Sequence, residues 1–219
     1  RAPFSRICPY PEFLLKEPGS VGSLDTIIAK GDLPKAERIL FQFGFTKRKP
    51  QFSHQHKGYF KYLGIEAVRF DVQVGGIYWD DLKYLDETVL IRREKKSFFY
   101  VLSADDYITM LITHSILAKK YFKPKYQEII SNAAWDQEIV RQKLSSIFNQ
   151  RNAQEIISLT EKKEFKKIPV KKLVAYFLLS RPSNLATFIP LAFRWISWKK
   201  TLTAHPLISF IGPDGAGKS

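Results

Sequence analysis

The dominant periodicity of this 219-residue chain shifts at Ser103, from mostly strand-like to mostly helical, and that shift limits the folds open to it. Before it, apolar residues alternate with polar ones. Over residues 67–74, Val68, Phe70, Val72 and Val74 take every second place, with Arg69, Asp71 and Gln73 between them. A period of two marks a strand with one face buried. After Ser103 the period becomes helical, and Tyr107, Met110, Leu111, His114, Leu117 and Ala118 share one face. Ser103 is a natural cap for that helix, with Asp105 and Asp106 in the first turn, where the exposed N–H groups favour negative charge.

Other elements fall on either side of that change. Residues 24–29 form a short β-prone run behind the turn formers Gly19, Ser20, Gly22 and Ser23. A helix is expected from Asp32, with Pro34 in its first turn and Gly44 at its end. Extended runs follow at 58–63 and 67–74, the second closed by Gly75-Gly76, and then at 88–91 and 98–102. Helical patterns continue through 124–133, 135–148, 151–160, 168–179 and 183–198, before a last β-prone run at 207–211. Strand, helix, several strands and then a run of helices describe an α+β domain with a helical C-terminal part. With 45% hydrophobic and 14% aromatic residues, the chain has the material for a core.

Charge is uneven along the chain. Residues 1–110 carry 17 basic and 14 acidic side chains, whereas 111–219 carry 18 and 7. The net charge of +14 therefore belongs mainly to the helical half, where Lys119, Lys120, Lys123 and Lys125 and then Lys162, Lys163, Lys166, Lys167, Lys171 and Lys172 cluster. Such surfaces attract polyanions: nucleotide phosphates, nucleic acid or an anionic membrane face. A solvated helix surface explains them as well, and no aromatic residues interleave to stack bases. The apolar stretch 173–198 is broken by Arg181, Pro182, Pro190 and Arg194, so no transmembrane segment is expected. A single cysteine, Cys8, excludes a disulfide framework and fits a reducing, cytoplasmic setting.

The sharpest chemical signal is Gly212-Pro213-Asp214-Gly215-Ala216-Gly217-Lys218-Ser219, which fits G-x-x-x-x-G-K-[ST] behind an apolar strand. Glycines let the backbone curl so that its N–H groups converge on phosphate oxygens. Lys218 reaches the β- and γ-phosphates, and the Ser219 hydroxyl ligates Mg²⁺. The expected cofactors are ATP and Mg²⁺, held by Gly212, Gly215, Gly217, Lys218 and Ser219. The chain starts at Arg1, has Met110 as its sole methionine and stops inside this motif, so it reads as an internal piece of a longer protein.

These residues resemble the first strand and phosphate loop of thymidylate-kinase-like P-loop kinases, which share an Asp-Gly-x-Gly-Lys core. In that family the loop aspartate lies beside the nucleoside monophosphate acceptor, so the resemblance makes Asp214 a candidate substrate contact. Turn stabilisation is its other reading.

The segment 19–28, Asp32 to Ala36, Gly44-Phe45 and residues 70–74 resemble the opening of the nucleotidyltransferase fold. The helix from Ser103 with His114, followed by Lys123-Pro124-Lys125-Tyr126, resembles the helical part of nucleotidyltransferase-like proteins. The resemblance implies a mixed sheet and a metal site of three carboxylates, two from a D-x-D on one strand and one from its neighbour. A spacing of two puts the pair on one face, where metal ions clamp the phosphoryl oxygens. Asp71 suits the third place and Asp25 one of the pair. The other is occupied by Ser23 or Ile27, depending on which place Asp25 takes, so the set is one carboxylate short and a degenerate domain is expected.

Four further groups carry weaker signals. His114 reads as a core histidine. His54 and His56 have an i, i+2 spacing that suits a metal, but no cysteine or carboxylate cluster is near them in sequence. Asp80 and Asp81 after Trp79 read as a turn, and Arg92, Arg93, Lys95 and Lys96 as an exposed hairpin that could also touch phosphates.

The expected organisation is a lead-in at 1–14, a nucleotidyltransferase-like domain at 15–135, a basic helical extension at 136–203 and the start of an α/β P-loop domain at 204–219. The expected function is a phosphotransferase that passes phosphate from ATP to a nucleotide or other small acceptor. The competing readings are a non-catalytic nucleotide-sensing or partner-recruiting module, and a basic nucleic-acid or membrane-surface binder.

Overall fold

The structure, a computed structural model, describes residues 5–6, 23–48, 55–63, 66–97, 99–190 and 192–193. Seven short strands form one mixed sheet: β1 (Ser5–Arg6), β2 (Ser23–Ile28), β3 (Thr46–Lys47), β4 (His56–Leu63), β5 (Glu66–Val74), β8 (Glu94–Lys96) and β9 (Phe99–Val101). Their order across the sheet is β3-β4-β5-β2-β1-β9-β8. The alternating strand β5 lies near the middle, parallel to β2 and antiparallel to β4. A separate hairpin pairs β6 (Gly76–Trp79) with β7 (Leu82–Asp86).

The alternation divides the sheet into two faces. Ile28, Tyr59, Val72 and Val74 point to one, where they pack on Ala36 and Leu40 of helix α1 (Leu33–Gln42). Pro34 in the first turn and Gly44, at φ +79° past the end, delimit α1 as residue type requires. Ile27 points to the other face, which meets the hairpin and the helical half in a larger core. Gly75 and Gly76, at φ +71° and +147°, swing the chain from β5 into the hairpin. A Cβ on Gly76 would stand 2.5 Å from the Leu85 carbonyl oxygen, so a side chain there collides with backbone.

The helical half begins where the periodicity changes. The Ser103 hydroxyl accepts from the Asp106 N–H at 3.3 Å and starts helix α2 (Ala104–His114). A π-helical turn, Ser115–Lys119, extends it and ends at Lys120, which is left-handed with φ +65°. Helices α3 (Pro124–Asn132), α4 (Gln137–Phe148), α5 (Gln150–Glu161) and α6 (Val170–Leu179) follow, with further helix over 182–190. Val140, Leu144, Phe148, Ile156 and Phe177 from these helices join Ile77, Leu82, Ile108 and Ile112 in one hydrophobic cluster. Trp79 at the hairpin tip packs at a tilt against Phe177, with ring centroids 6.3 Å apart. The core thus runs through residue 135 without a gap, and the helices after it pack on the strands' own hairpin.

The run at 88–91 is not a strand. Asp86 accepts from the Thr88 N–H at 3.0 Å and caps a 3-10 turn, Glu87–Leu90, that buries Val89 and Leu90. Among the described residues, no helix is long and apolar enough to cross a membrane. Cys8, His54, the β-prone run at 207–211 and the loop 212–219 lie outside the described residues.

Candidate functional site

Strand pairing brings distant residues into register. β2 and β5 pair in parallel with Asp25 directly opposite Asp71. β5 and β4 pair with Gly58 opposite Asp71 and His56 opposite Gln73. Asp25, Asp71 and His56 therefore converge on one face from three consecutive strands, because each lies an even number of residues from the others' register partners. One potential ligand atom from each lies within 4.8 Å of the other two.

Each position is set by its surroundings. Asp71 is buried, and its neighbour on the strand, Arg69, places Nε 3.0 Å from Oδ1 and 2.9 Å from Oδ2. The His56 Nε2 lies 3.7 Å from Asp71 Oδ1. Gly58 leaves the flank of Asp71 open; a Cβ there would lie 3.6 Å from Oδ1. Asp25 keeps an exposed surface. Desolvation on the sheet and then the neighbouring Asp71 charge raise its pKa, while His56, Arg69 and Lys119 oppose the rise. The exposed surface limits the size of that effect.

The site has a second rim. The β6–β7 hairpin turns at Asp80-Asp81, and Asp81 Oδ1 accepts from the Gln55 N–H at 3.3 Å. Desolvation and Asp81 raise the pKa of Asp80, against His56 and Lys120. Lys120 extends its Nζ over the Trp79 ring at 4.1 Å. Lys119 ends the π-helical turn that leads toward Asp25, a type of turn often found at functional positions. Two members of the first lysine run are thus drawn to this site. The later run, from Lys162 to Lys172, is mostly exposed, and Lys167 and Lys172 pair with Glu164 and Glu155.

The structure brings the two predicted carboxylates together and shows what lies beside them. Ile27, on the same face as Asp25, is fully buried in the main core. That place supplies no metal ligand. His56, which the spacing with His54 left without carboxylate neighbours, gains Asp71 through pairing of β4 with β5 and Asp25 through pairing of β5 with β2. Arg69 is a further member of the site that residue type alone does not mark, and Lys119 joins it from the first lysine run. The histidine at 114 is half-buried, 6.3 Å from the Tyr126 ring; desolvation, reinforced by Lys119 and Lys123, lowers its pKa to about 4 and keeps it neutral. Arg92 serves a structural pair with Asp106 rather than an anion site.

Chemically, two adjacent carboxylates in a partly desolvated setting invite a cation or a proton. The mixed oxygen and nitrogen donors suit a divalent metal. The basic side chains around them could meet the oxygens of a phosphorylated ligand. Family models, curated proteins and solved structures give no match to this chain.

Proposed function

We propose that the described residues form a nucleotidyltransferase-like module that binds a nucleoside triphosphate with a divalent cation, and that residues 204–219 open a thymidylate-kinase-like phosphotransferase domain. The observation that carries the first part is the register of Asp25 against Asp71 on adjacent parallel strands. Asp25 and Asp71 would hold the cation, and Arg69 and Lys119 would face the phosphates. The cation would supply charge neutralisation for the triphosphate. Neither place two residues from Asp25 holds a carboxylate, with Ser23 on one side and buried Ile27 on the other, and this favours binding over transfer. The module then acts as a nucleotide sensor or a recruiting platform for the kinase.

The second part rests on the loop sequence. Gly212, Gly215 and Gly217 would offer backbone N–H groups to ATP, Lys218 would reach its phosphates, and Ser219 would ligate Mg²⁺. Asp214 would face the acceptor, a nucleotide or another small molecule. A protein of this kind belongs in the cytoplasm, where ATP is abundant.

Equilibrium binding of labelled ATP to the chain carrying Lys218→Ala, which removes the loop's own contribution, in Mg²⁺ or Mn²⁺, tests the module. Binding is expected to depend on the metal and to be lost in Asp71→Asn. Metal-independent binding, or binding that survives Asp71→Asn, would contradict the reading. Lys218→Ala in the full-length protein tests the loop, with loss of ATP binding at the kinase domain expected.

A further inference from the structure

The predicted nucleotidyltransferase set consists of oxygen donors alone, and this chain departs from it. The side chain that joins Asp25 and Asp71 is an imidazole, brought in by the strand on the far side of Asp71. Donor chemistry then bears on which cation fits. Mg²⁺ demands oxygen ligands in near-ideal octahedral geometry, at about 2.0–2.1 Å, and keeps several waters. Imidazole nitrogen suits the later first-row metals, whose affinities rise along the series from Mn²⁺ toward Cu²⁺.

We infer that this site takes one divalent transition-metal cation, Mn²⁺, Co²⁺ or Zn²⁺, in preference to Mg²⁺ or Ca²⁺, through one oxygen each of Asp25 and Asp71 and one ring nitrogen of His56. The inference rests on the reading of this site as cation-binding, but not on any reaction there. The three donors already stand within 4.8 Å of one another. Metal bonds of about 2.0–2.2 Å draw them closer. The His56 side chain is 42% exposed, and Asp25 is exposed too, so small side-chain rotations close the gap. Asp71 is the fixed member, only 7% exposed in its side chain and built into the centre of the sheet.

Gly58 makes room. It is the residue opposite Asp71 in the ladder, and any side chain would grow from a point 3.6 Å from Oδ1 and 3.5 Å from Arg48 Cβ. The glycine thus keeps open the flank of Asp71 that lies next to His56 on its own strand. Arg69 is the resident competitor for Asp71. Its side chain is 46% exposed and can withdraw into solvent when a divalent cation arrives. The exposed edge at Asp25 leaves further coordination positions for water or for a phosphate oxygen. Three protein donors with open positions describe a site that binds a metal and a ligand together.

The test uses the 219-residue chain and metal salts alone. Titration with CoCl₂ is followed by visible absorption, with ZnCl₂ and MgCl₂ as competitors and circular dichroism to confirm that each variant is folded. One Co²⁺ per chain is expected, displaced by Zn²⁺ at near-equal concentration and by Mg²⁺ only at large excess. His56→Ala is expected to weaken Co²⁺ by about tenfold or more, the lower end of what loss of even an indirect partner costs a metal site. His56→Asp, which makes the set all-oxygen, is expected to narrow the gap between Co²⁺ and Mg²⁺. Gly58→Val is expected to weaken Co²⁺ without unfolding the chain. Unchanged Co²⁺ affinity in His56→Ala, or displacement by Mg²⁺ as readily as by Zn²⁺, would overturn the inference. Nucleotide is absent from this assay. Metal binding at these residues without ATP binding would therefore uphold the inference and remove the nucleotide reading.

Discussion

Two buried aspartates in this molecule meet arginines, and their surroundings differ. Asp106 is fully buried at the start of α2. Arg92 reaches both its oxygens, each at 2.9 Å, Lys143 approaches Oδ1 at 2.9 Å, and the Ser103 hydroxyl donates to Oδ2 at 3.0 Å. Burial alone would push its pKa upward, but the bonds from Arg92 and Lys143 hold it below the ordinary carboxylate value. Asp71 is nearly as buried, but it has one half-exposed arginine, an imidazole at 3.7 Å and a second, exposed carboxylate in register with it. One site has surplus positive charge and ties three segments together. The other sets two carboxylates side by side, with Asp25 and His56 exposed so that a soluble ion can reach them. The difference teaches that burial by itself does not mark a functional carboxylate; the balance and the accessibility of its partners do.

The largest test of that contrast is Asp106→Ala. It leaves Arg92 and Lys143 without their shared partner and removes a helix cap contact. A loss of about 3 kcal/mol or more is expected from breaking a buried pair. Urea denaturation measures it, while metal affinity of the folded fraction stays as in the parent chain. Asp71→Asn reverses the pattern. Asparagine still accepts from Arg69, so stability changes by about 1 kcal/mol at most, the difference between a charged and a neutral hydrogen bond. Metal affinity, read by titration, falls by about 100-fold. If both substitutions cost stability alike and neither moves metal binding, the two aspartates are the same kind of structural residue.

Acid titration separates the regions further. The pKa of His114 falls from 6.5 to about 4 on folding, so the unfolded chain binds the extra proton first. Stability is therefore lost as pH falls from about 6.5 toward 4, by about 2 kcal/mol once partial exposure is allowed for. Asp106 acts lower. Its folded pKa lies below 3.8, so its contribution is present above that value and is lost as pH falls through the folded value. His114→Gln is expected to flatten the first window and leave the second, as followed by thermal unfolding across pH. A curve unchanged between pH 6.5 and 4 would remove the buried-neutral assignment.

The smallest effect is the most specific. Asp25 carries a raised pKa because desolvation and Asp71 disfavour its charge. Asp25→Asn is therefore expected to raise the metal-free melting temperature slightly, where most substitutions lower it. A lower melting temperature would show that Asp25 contributes a structural contact instead.

What was legible in the sequence was local. The alternation in β5, the Pro34 and Gly44 limits of α1 and the Ser103 cap all act within a few residues, and each stands where residue type put it. The exception is instructive. Thr88, Val89 and Leu90 have strand-like side chains, but Asp86 captures the Thr88 N–H and the core takes Val89 and Leu90 from a 3-10 turn. Of the β6–β7 hairpin, the glycine entry and the Asp80-Asp81 turn are legible, but its two short strands carry too little periodicity to be read. For the site, Asp25 and Asp71 were visible as candidate carboxylates. His56 was visible only as half of an i, i+2 histidine pair; its convergence with Gly58 on Asp71 comes from register between strands, which no short window contains. Arg69 is local, two residues before Asp71 on the same strand, but an alternating arginine reads simply as an exposed strand residue. Lys119 depends on a π-helical turn that an ordinary helical pattern does not reveal.

The central claim is that the sheet face at Asp25 and Asp71 binds a divalent cation. Thermal unfolding of the chain with and without Mn²⁺ tests it most directly. At about 100 times the dissociation constant, a ligand specific for the folded state adds about 2.7 kcal/mol. A clear rise in melting temperature is predicted for the parent chain and for Asp106→Asn, with none for the double variant Asp25→Asn, Asp71→Asn. An equal rise in the double variant, or no rise in the parent, would contradict the claim.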